Sequence, residues 1–539
     1  MPSRRPSRPR RRPRGLTLLV AAAVALVPAC GQTAGTPIPA VPSPSPAPPS
    51  AGAVPPGLER FYAQELSWGP CASFAASEED RVVFSDDRYD CSRLEVPLNY
   101  AAPDGRTAQL GVLRLRASGQ RIGALVVNPG GPGVSGMSAV PPLFAPGTSG
   151  DGPLTQRFDV IGLDPRGVGA STPAIDCLTD AEWEVERADL DVDASPAGVA
   201  ATEEENRLYA QRCAERVGPE VLANVGTRDT VRDLDVLRAA LDEPKLTYLG
   251  YSYGSRLGST YAEEFPLNVR ALVLDGALDP GQTTPERIIA QAQGFQQAFD
   301  AFAATCTSRS TCPLGTDPAA AVQAFQELSR PLIDQPLGVG DRTLSYPDAV
   351  TGVTQALYLS EAWPLLEQAL VGLADGDGTL LLLLTDLYLG RRGDGTYSNE
   401  TEAFDVIGCV DEDRITDPAV VADLAARELA AAPYRDSGRG AVAARDKCAF
   451  WPVSPTSTPR PPQTSGLPPT LVVSTTGDPA TPYHAGVNLA AAMGARLLRV
   501  EGDTHGVVLT GTACVDDAVI AYLVDLTVPA EGTSCRLDP

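Results

Sequence analysis

The stretch KLTYLGYSYGSRLGSTYAEEF, residues 245–265, decides the fold of this chain of 539 residues. An apolar run, KLTYLG, leads into Gly-x-Ser-x-Gly around Ser252, and the residues that follow can start a helix. A strand, a tight turn and a helix in this order are typical of the elbow that holds a nucleophilic serine in a strained backbone conformation. The alternative is an ordinary tight turn. In this context the motif predicts that Ser252 is a nucleophile.

Seven further apolar runs flank this segment, and turn residues follow each of them. The runs are rich in Val, Leu and Ile with little alternation, which is typical of strands buried on both faces of a parallel sheet. Helical patterns lie between them. The sequence therefore predicts an α/β fold with a mostly parallel, doubly wound sheet. The runs are SRLEVPLNY (92–100), AQLGVLRLRA (108–117), GALVVNPGG (123–131), FDVIGLDPRG (158–167), RALVLDGAL (270–278), TLVVSTTGD (470–478) and RLLRVEGDT (496–504).

The segment between the strands at 270–278 and 470–478 is far longer than one crossover helix requires, and most of it has a helical pattern. It predicts a helical cap domain at 281–465, inserted between core segments 58–280 and 466–539. The leucine-rich run at 379–390 lies within it. That run is shorter than the roughly 20 residues that span a bilayer, so we expect a buried helix there.

One predicted helix, at residues 229–243, carries a capping-box pattern at its start. Thr230 and Asp233 have the spacing in which a threonine side chain and an acidic side chain satisfy each other's main-chain N–H groups. The pattern predicts that the helix begins at Thr230.

The chain contains two histidines, His484 and His505. A serine hydroxyl needs a base, and histidine is the side chain whose ordinary pKa lies nearest neutrality. His505 directly follows one predicted strand and Asp478 follows another, at the strand ends where open α/β sheets keep their sites. His484 lies at the start of a predicted helix instead. The pattern predicts that His505 is the base and that Asp478 orients it.

Two neighbours of this predicted pair have other expected roles. Asp503 is the rival acid, two residues before His505, a spacing that leaves it little freedom to reach the far side of the ring. A loop-capping role is expected for it. Thr481 is expected to help orient the loop of Asp478.

The segment VVNPGGPGVSG, residues 126–136, is a turn rich in glycine and proline that follows a predicted strand. An oxyanion hole needs main-chain N–H groups at fixed positions, and large side chains would obstruct the approach. Gly131 and Tyr253 are the predicted donors. A phosphate-binding loop is the alternative, but the sequence has neither GK[ST] nor GxGxxG after a first strand.

Five sequence blocks occur in order: NPGGPG (128–133), DPRGVGAS (164–171), GYSYG (250–254), GDPATP (477–482) and GDTHG (502–506). Together they resemble the proline-iminopeptidase type of α/β-hydrolase serine peptidase. The likeness is greatest to secreted bacterial tripeptidyl aminopeptidases and carboxylesterase A-like lipoproteins, over about residues 65–539. Many relatives have a histidine at the position of Pro129, whereas the exported branch of the family resembles this chain there. The resemblance implies nucleophile Ser252, acid Asp478, base His505, a helical cap, and neither cofactor nor metal.

Residues 1–29 predict an export signal, because a basic start precedes an apolar stretch too short to span a bilayer. The signal ends in LVPAC, which resembles a bacterial lipobox with Cys30 as the lipidated residue. The alternative is ordinary cleavage that leaves Cys30 unmodified. Residues 30–57 are rich in Pro, Ser and Ala and predict an extended tether. We expect a lipoprotein on the outer face of the cytoplasmic membrane, or a secreted protein.

Ten of the 11 cysteines remain when Cys30 is set aside. An even number suits an exported protein, because disulfides persist outside the cytosol. No CxxC occurs and neither histidine has a cysteine at ligand spacing, so a metal site is not expected. Sequence does not fix the pairing, but the cysteines fall in sequential couples. The predicted disulfides are Cys71–Cys91, Cys177–Cys213, Cys306–Cys312, Cys409–Cys448 and Cys514–Cys535.

Acidic residues outnumber basic ones, with 67 Asp and Glu against 43 Lys and Arg and a net charge of −24. A nucleic-acid partner is not expected, because binding it requires clustered basic side chains. The acidic balance suits an exported protein and substrates that carry a positive amine.

These observations predict an exported serine hydrolase that releases short peptides from free N-termini through an acyl-enzyme. A carboxylesterase or lipase is the alternative enzyme, because the same triad cleaves esters more easily than amides. A non-catalytic envelope-binding module on a hydrolase fold is the alternative from another class.

The free amine of a peptide substrate needs an acidic partner in a partly desolvated pocket. Asp411 and Glu412 in the predicted cap are the candidates, with a solvated acidic loop as the alternative.

Overall fold

A nine-stranded sheet forms the centre of the structure, a computed structural model that describes residues 52–537. The predicted signal, Cys30 and the predicted tether up to residue 51 lie outside the described residues. The strands of the structure are β1 (Tyr89–Pro97), β2 (Thr107–Leu115), β3 (Gly123–Asn128), β4 (Phe158–Leu163), β5 (Leu246–Tyr251), β6 (Val269–Asp275), β7 (Leu337–Val339), β8 (Arg342–Leu344), β9 (Leu471–Thr475), β10 (Arg496–Glu501) and β11 (Ser534–Arg536).

The large sheet has the spatial order β1-β2-β4-β3-β5-β6-β9-β10-β11, while β7 and β8 form a separate hairpin. Strand β2 pairs antiparallel with β1 and β4, and the other pairings in the large sheet are parallel. All eight predicted strands occur, so the predicted α/β class with a mostly parallel sheet is confirmed. The register of β3 and β5 pairs Asn128 with Gly250, which brings the glycine-rich loop beside the turn at Ser252.

Helices cover both faces of the sheet, because its strands are apolar on both sides. In β6, Leu272 and Leu274 pack in a hydrophobic cluster with α8, α9 and α17 on one face, and Ala271 and Val273 pack with α3 and α18 on the other. The α-helices are α1 (Glu59–Tyr62), α2 (Glu78–Val83), α3 (Gly136–Leu143), α4 (Pro153–Arg157), α5 (Asp180–Ala188), α6 (Pro196–Arg216), α7 (Pro219–Leu222), α8 (Thr227–Ala240), α9 (Tyr253–Glu264), α10 (Thr284–Cys306), α11 (Ala321–Ser329), α12 (Tyr346–Leu357), α13 (Trp363–Ala374), α14 (Thr379–Leu389), α15 (Glu400–Asp411), α16 (Pro418–Ala431), α17 (Tyr483–Met493) and α18 (Ala513–Asp525).

Helices α10 to α16 lie between β6 and β9, in the segment predicted to form a cap. Phe299, Phe325 and Tyr434 belong to a second hydrophobic cluster built mainly from these helices. Helix α15 differs, because Val406 and Ile407 pack in the cluster that covers the sheet. The division between the two clusters therefore does not follow the predicted bounds of 281–465, which stay a prediction.

The predicted start of the helix after residue 226 is wrong. Helix α8 begins at Thr227, so Thr230 and Asp233 lie inside it rather than at its cap. The Thr230 N–H already donates a helical hydrogen bond to the Gly226 carbonyl at 3.1 Å, so the helix has begun before Thr230. Asp233 is not free to cap the helix, because its Oδ2 accepts a hydrogen bond from Arg166 Nε at 2.7 Å and both side chains are buried.

The structure joins the ten cysteines of its described part in the five pairs that the sequence predicts. The pair Cys514–Cys535 connects α18 to the edge strand β11. The leucine run forms α14, in which Leu381, Leu382 and Leu384 are buried. Among residues 52–537 no helix combines the length and the apolar character that crossing a membrane demands.

Candidate active site

Ser252 lies in the tight turn between β5 and α9. Its φ of 53° and ψ of −120° fall in a region that non-glycine residues rarely adopt. A Cβ on Gly250 would clash with the carbonyl oxygen of Gly254, and a Cβ on Gly254 would lie 2.8 Å from Asn128 Oδ1. Only glycine therefore fits on either side of the serine. The Ser252 N–H donates to the Asp275 carbonyl at 2.8 Å, which fixes the turn to β6.

The structure brings the predicted base and acid into direct contact. His505 Nδ1 lies 2.9 Å from both carboxylate oxygens of Asp478. This carboxylate also accepts hydrogen bonds from the N–H groups of Ala480 and Thr481 at 2.9 and 2.8 Å, and from Thr481 Oγ1 at 2.9 Å. The loop after β9 thus holds the acid rigidly. Because Nδ1 is engaged, Nε2 is the ring nitrogen left to serve a nucleophile.

The surroundings of His505 raise the pKa of its imidazole. Burial lowers this pKa, but the charge of Asp478, its hydrogen bond to the ring and the charge of Asp275 outweigh burial. A base with a raised pKa accepts a proton more readily. The arrangement therefore suits a group that takes a proton from a hydroxyl.

Ser252 and His505 lie at the same edge of the sheet. A Cβ on Gly276 would lie 3.0 Å from His505 Cε1, and Gly276 directly follows Asp275, whose carbonyl holds the serine. Within residues 52–537 neither Ser252 Oγ nor His505 Nε2 has a hydrogen-bond partner. Catalytic hydrogen bonds are often long in a free enzyme and tighten when substrate binds.

The glycine-rich loop after β3 packs against the serine turn. A Cβ on Gly130 would lie 2.9 Å from Ser252 Cβ. The Gly130 N–H donates to Asn128 Oδ1 at 3.0 Å, whereas the Gly131 N–H has no acceptor in the described part of the chain. Tyr253 is the first residue of α9, where N–H groups lack an intrahelical acceptor. The predicted oxyanion donors, Gly131 and Tyr253, therefore have N–H groups available.

The second sequence block anchors that loop and the sheet. Asp164 accepts hydrogen bonds from Ser135 Oγ at 2.6 Å and from the Ala170 N–H at 2.8 Å, so its carboxylate joins the end of the glycine-rich loop to the turn after β4. Two residues later, the buried Arg166 pairs with Asp233. These residues support the site without reaching its reacting atoms.

The structure does not bring the rival residues to the reacting atoms. His484 is exposed on the first turn of α17. Asp503 is exposed, and its carboxylate lies against Gly477 rather than the His505 ring. The choice of His505 and Asp478 as the predicted pair therefore agrees with the geometry.

The predicted amine-binding carboxylates already have protein partners. Asp411 is buried at the end of α15, where it accepts hydrogen bonds from the Thr227 N–H at 2.9 Å and from Thr227 Oγ1 at 2.5 Å. It therefore caps α8. Glu412 pairs with Arg256 and Arg287. This arrangement does not favour a role in binding a substrate amine, and that role stays a prediction.

Sequence reasoning missed a carboxylate that has no such partner. Glu400 opens α15, and a Cβ on Gly133 would lie 2.5 Å from its carbonyl oxygen, so α15 begins beside the glycine-rich loop. In the described structure the Glu400 carboxylate has neither a hydrogen-bond nor an ion-pair partner, and burial raises its pKa. Phe404, one turn further along α15, is 49% exposed.

Glu400 and the segment Gly133–Ser135 line one cavity of about 750 Å³. This cavity is strongly acidic, because Arg392 is the single basic residue among the described residues that line it. The carboxylates are those of Asp80, Asp164, Asp176, Asp180, Glu400 and Glu402. A cavity of this charge beside the predicted oxyanion loop suits a positively charged group.

A second missed feature is the contact between the cap segment and the loop of His505. The His505 N–H donates to the Tyr358 carbonyl at 2.8 Å, and the two rings meet edge-on with centroids 5.6 Å apart. The Ser360 N–H donates to Thr504 Oγ1 at 3.1 Å, and this hydroxyl donates to Glu361 Oε2 at 3.2 Å. Residues between α12 and α13 therefore hold the loop of the base.

Asp189, Asp191 and Glu205 form an acidic cluster whose ligand atoms lie within 4.8 Å of one another. All three are exposed, but partial desolvation of the Glu205 carboxylate and the charges of the two aspartates raise its pKa to about 7. Exposed acidic clusters are common without a bound ion, and nothing else in the described residues marks this one as a metal site.

Comparison with known proteins identifies the family of this chain. Residues 123–512 match the alpha/beta hydrolase fold family. The chain is 44% identical to the serine protease Hip1 of Mycobacterium tuberculosis over 88% of this chain and 91% of that protein. It is 45% identical to carboxylesterase B of the same organism over 88% and 90%. It is 31% identical to the tripeptidyl aminopeptidase of Streptomyces lividans over 83% of each chain.

The match covers the strand that precedes Ser252, the segment that contains Asp478 and the loop of His505. The resemblance inferred from the five sequence blocks is confirmed by these relatives. The chain belongs to the alpha/beta hydrolase fold family and is a serine hydrolase of that family.

Proposed function

We propose that this serine hydrolase is an aminopeptidase that releases short peptides from free N-termini. The acidic cavity beside the glycine-rich loop is the observation that carries the proposal. A positively charged amine gains most from a carboxylate in a partly desolvated pocket. The similarity to the Streptomyces lividans tripeptidyl aminopeptidase supports the same reading.

In the proposed reaction Ser252 Oγ attacks the carbonyl carbon of the scissile peptide bond. His505 Nε2 takes the hydroxyl proton, and the Asp478 carboxylate stabilises the resulting imidazolium. The N–H groups of Gly131 and Tyr253 donate to the oxyanion. His505 then returns the proton to the leaving amine, which frees the rest of the peptide. The short N-terminal peptide stays esterified to Ser252 until water, deprotonated by His505, attacks that ester and releases it.

Glu400 is the proposed partner of the substrate's free amine. Its carboxylate has no protein partner among the described residues, and it opens the helix that packs against Gly133. An ammonium group that binds there restores the favourable interactions that a partly buried carboxylate otherwise lacks. Such a contact selects a charged N-terminus over a blocked one.

The test compares kcat/KM for a tripeptide anilide with a free N-terminus and for its N-acetylated form. The proposal predicts a preference of about ten-fold or more for the free amine, roughly 1.4 kcal/mol, which Glu400→Gln abolishes. Glu412→Gln is the matched control and should keep the preference, because Glu412 is paired with arginines. Equal rates on both substrates in the wild-type enzyme would contradict the aminopeptidase proposal.

A carboxylesterase is the second candidate function. The 45% identity to carboxylesterase B and the exposed Phe404, one helical turn after Glu400, favour it, because an exposed aromatic side chain can pack against an apolar ester. The same experiment separates the two when a neutral p-nitrophenyl ester is added. Rapid ester cleavage without cleavage of any peptide anilide would identify the esterase. Cleavage of neither substrate would favour a non-catalytic envelope-binding module.

We also propose that the protein is exported and held at the outer face of the cytoplasmic membrane by a lipid on Cys30. The leader in residues 1–29 supports export, and so do the five disulfides, which persist outside the cytosol. Cys30→Ser should move the protein from the membrane fraction to the medium. A wild-type protein found in the medium with an unmodified Cys30 would instead indicate secretion.

A further inference from the structure

Asp275 is a buried carboxylate that contacts both halves of the candidate active site. It ends β6, next to the strand that carries Ser252, and its side chain is fully buried. Its carbonyl oxygen accepts the Ser252 N–H at 2.8 Å. Its Oδ2 atom accepts the N–H groups of Val507 and Val508 at 2.6 and 2.8 Å, just after His505.

We propose that Asp275 is a positioning residue that fixes the nucleophile and the base relative to each other. Its carbonyl holds the turn of Ser252, and its carboxylate holds the loop of His505. The proposal rests on one part of the proposed function, which is that Ser252 and His505 are the reacting pair. A peptide substrate and an ester substrate therefore test it equally well. Small changes in the geometry of reacting groups cost large factors in rate, so such an anchor matters directly for turnover.

The charge of Asp275 has a second consequence for His505. Burial raises the pKa of Asp275 to about 6, and the hydrogen bonds from the N–H groups of Val508 and Val507 oppose this rise. Its charge in turn helps to raise the pKa of His505. The other titratable groups around His505 are Asp478 and Tyr358, and those around Asp275 are His505, Asp478 and Tyr251.

Anchoring alone does not require a carboxylate at this position. Asp275 Oδ1 has no hydrogen-bond partner among residues 52–537, so one oxygen makes both bonds to the loop. An asparagine could supply that one acceptor without the cost of burying a charge. We infer that the negative charge itself serves the site, by stabilising the protonated form of His505.

Asp516 provides a matched control on the same loop. Its carboxylate accepts the N–H groups of Leu509 at 2.7 Å and Gly511 at 3.0 Å, just beyond the residues that Asp275 holds. It is buried as well, at 5% exposure, but its charge does not contribute to the pKa of His505. Replacing it removes a buried loop anchor while the Asp275 charge stays in place.

The experiment measures kcat/KM for a neutral p-nitrophenyl ester between about pH 5 and pH 9. The proteins compared are the wild type, Asp275→Asn, Asp275→Ala and Asp516→Asn. The midpoint temperature of thermal unfolding is measured for each of them. Asp275→Asn should lower kcat/KM at neutral pH by about ten-fold through kcat and shift the acidic limb to lower pH. Asp275→Ala also removes the acceptor of the Val507 and Val508 N–H groups, so its kcat/KM should fall by about 100-fold or more. Asp516→Asn should lose thermal stability but keep the acidic limb of the wild type.

A wild-type rate and pH profile in Asp275→Asn would overturn the proposal. The proposal would also be overturned if kcat/KM fell in Asp275→Asn and Asp516→Asn in proportion to their loss of thermal stability, with no shift of the acidic limb. That result would indicate a purely structural role for Asp275. An inactive wild type that no fluorophosphonate labels would instead contradict the proposed function and leave no reaction for Asp275 to support.

Discussion

The main-chain N–H of His505 donates a hydrogen bond to the carbonyl oxygen of Tyr358 at 2.8 Å. His505 comes from the loop after β10, and Tyr358 comes from the helical segment inserted between β6 and β9. An isolated bridge between Leu359 and Thr504 continues the same contact. The base is therefore held by the inserted helices on one side and by Asp275 on the other, so its position depends on both parts of the molecule.

Removing the Thr504 hydroxyl should weaken this contact. Thr504 is buried, and Thr504→Val deletes the acceptor of the Ser360 N–H and the donor to Glu361. We expect a loss of about 1–2 kcal/mol in the free energy of unfolding and a fall of about three- to ten-fold in kcat/KM. Thr510→Val is the control, because Thr510 is exposed and its hydroxyl donates to the Val507 carbonyl of its own loop rather than to the inserted helices. An unaltered Thr504→Val enzyme would show that the contact does not hold the base.

The wild-type pH profile should reflect the raised pKa of His505. The base works only when its imidazole is neutral, so kcat/KM should fall on the acidic side at a pH above the ordinary histidine value of about 6.5. The stability of the fold depends on pH in the opposite direction to the activity. Pairing of protonated His505 with Asp478 stabilises the fold fully below the unfolded-state pKa, and this contribution is lost as pH rises through the folded-state pKa. An acidic limb well below the ordinary value would contradict the geometry.

Asp478→Asn should reduce turnover far more than Asp503→Asn does. The amide cannot stabilise the imidazolium and favours the wrong tautomer, so we expect a loss on the order of 10³–10⁴-fold in kcat with the fold retained. Asp503 does not contact the ring, so its variant should stay within a few-fold of the wild type. Steady-state kinetics on one ester substrate measures both. A larger loss in Asp503→Asn would reverse the assignment of the acid.

Arg166→Ala should destabilise the protein without acting on its chemistry. The substitution leaves the Asp233 carboxylate buried without its cation, which costs about 3–5 kcal/mol. Arg60→Ala removes an exposed pair with Glu95 and should cost at most about 1 kcal/mol. Denaturant unfolding gives both values. A loss in Arg166→Ala as small as that in Arg60→Ala would show that the buried pair does not stabilise the fold.

The residues that sequence analysis found share a local signal. Ser252, Asp478 and His505 each follow a run of buried apolar residues, and parallel strands bring such positions to one edge. Asp275 carries the same signal at the end of β6 and was still missed. The pairing of Asp275 with Val473 in the sheet is set by register, and a sequence does not show which strand-end acid faces a histidine.

The amine-binding prediction depended on partners that sequence does not reveal. Asp411 is engaged by Thr227, which is remote in sequence, and Glu400 looks like an ordinary acidic residue in the first turn of a helix. The hairpin of β7 and β8 and the edge strand β11 were also missed. Each of these strands has three residues, too few for any hydrophobic period to emerge.

Covalent labelling tests the central claim most directly. The protein is treated with a fluorophosphonate, digested and mapped by mass spectrometry, together with Ser252→Ala, His505→Ala and His484→Ala, each assayed for turnover. The account predicts one adduct on Ser252 in the wild type and in His484→Ala, and no adduct in Ser252→Ala or His505→Ala, which should each lose about 10⁴-fold or more in turnover. An adduct on a different serine, or full activity in His505→Ala with an inactive His484→Ala, would contradict it.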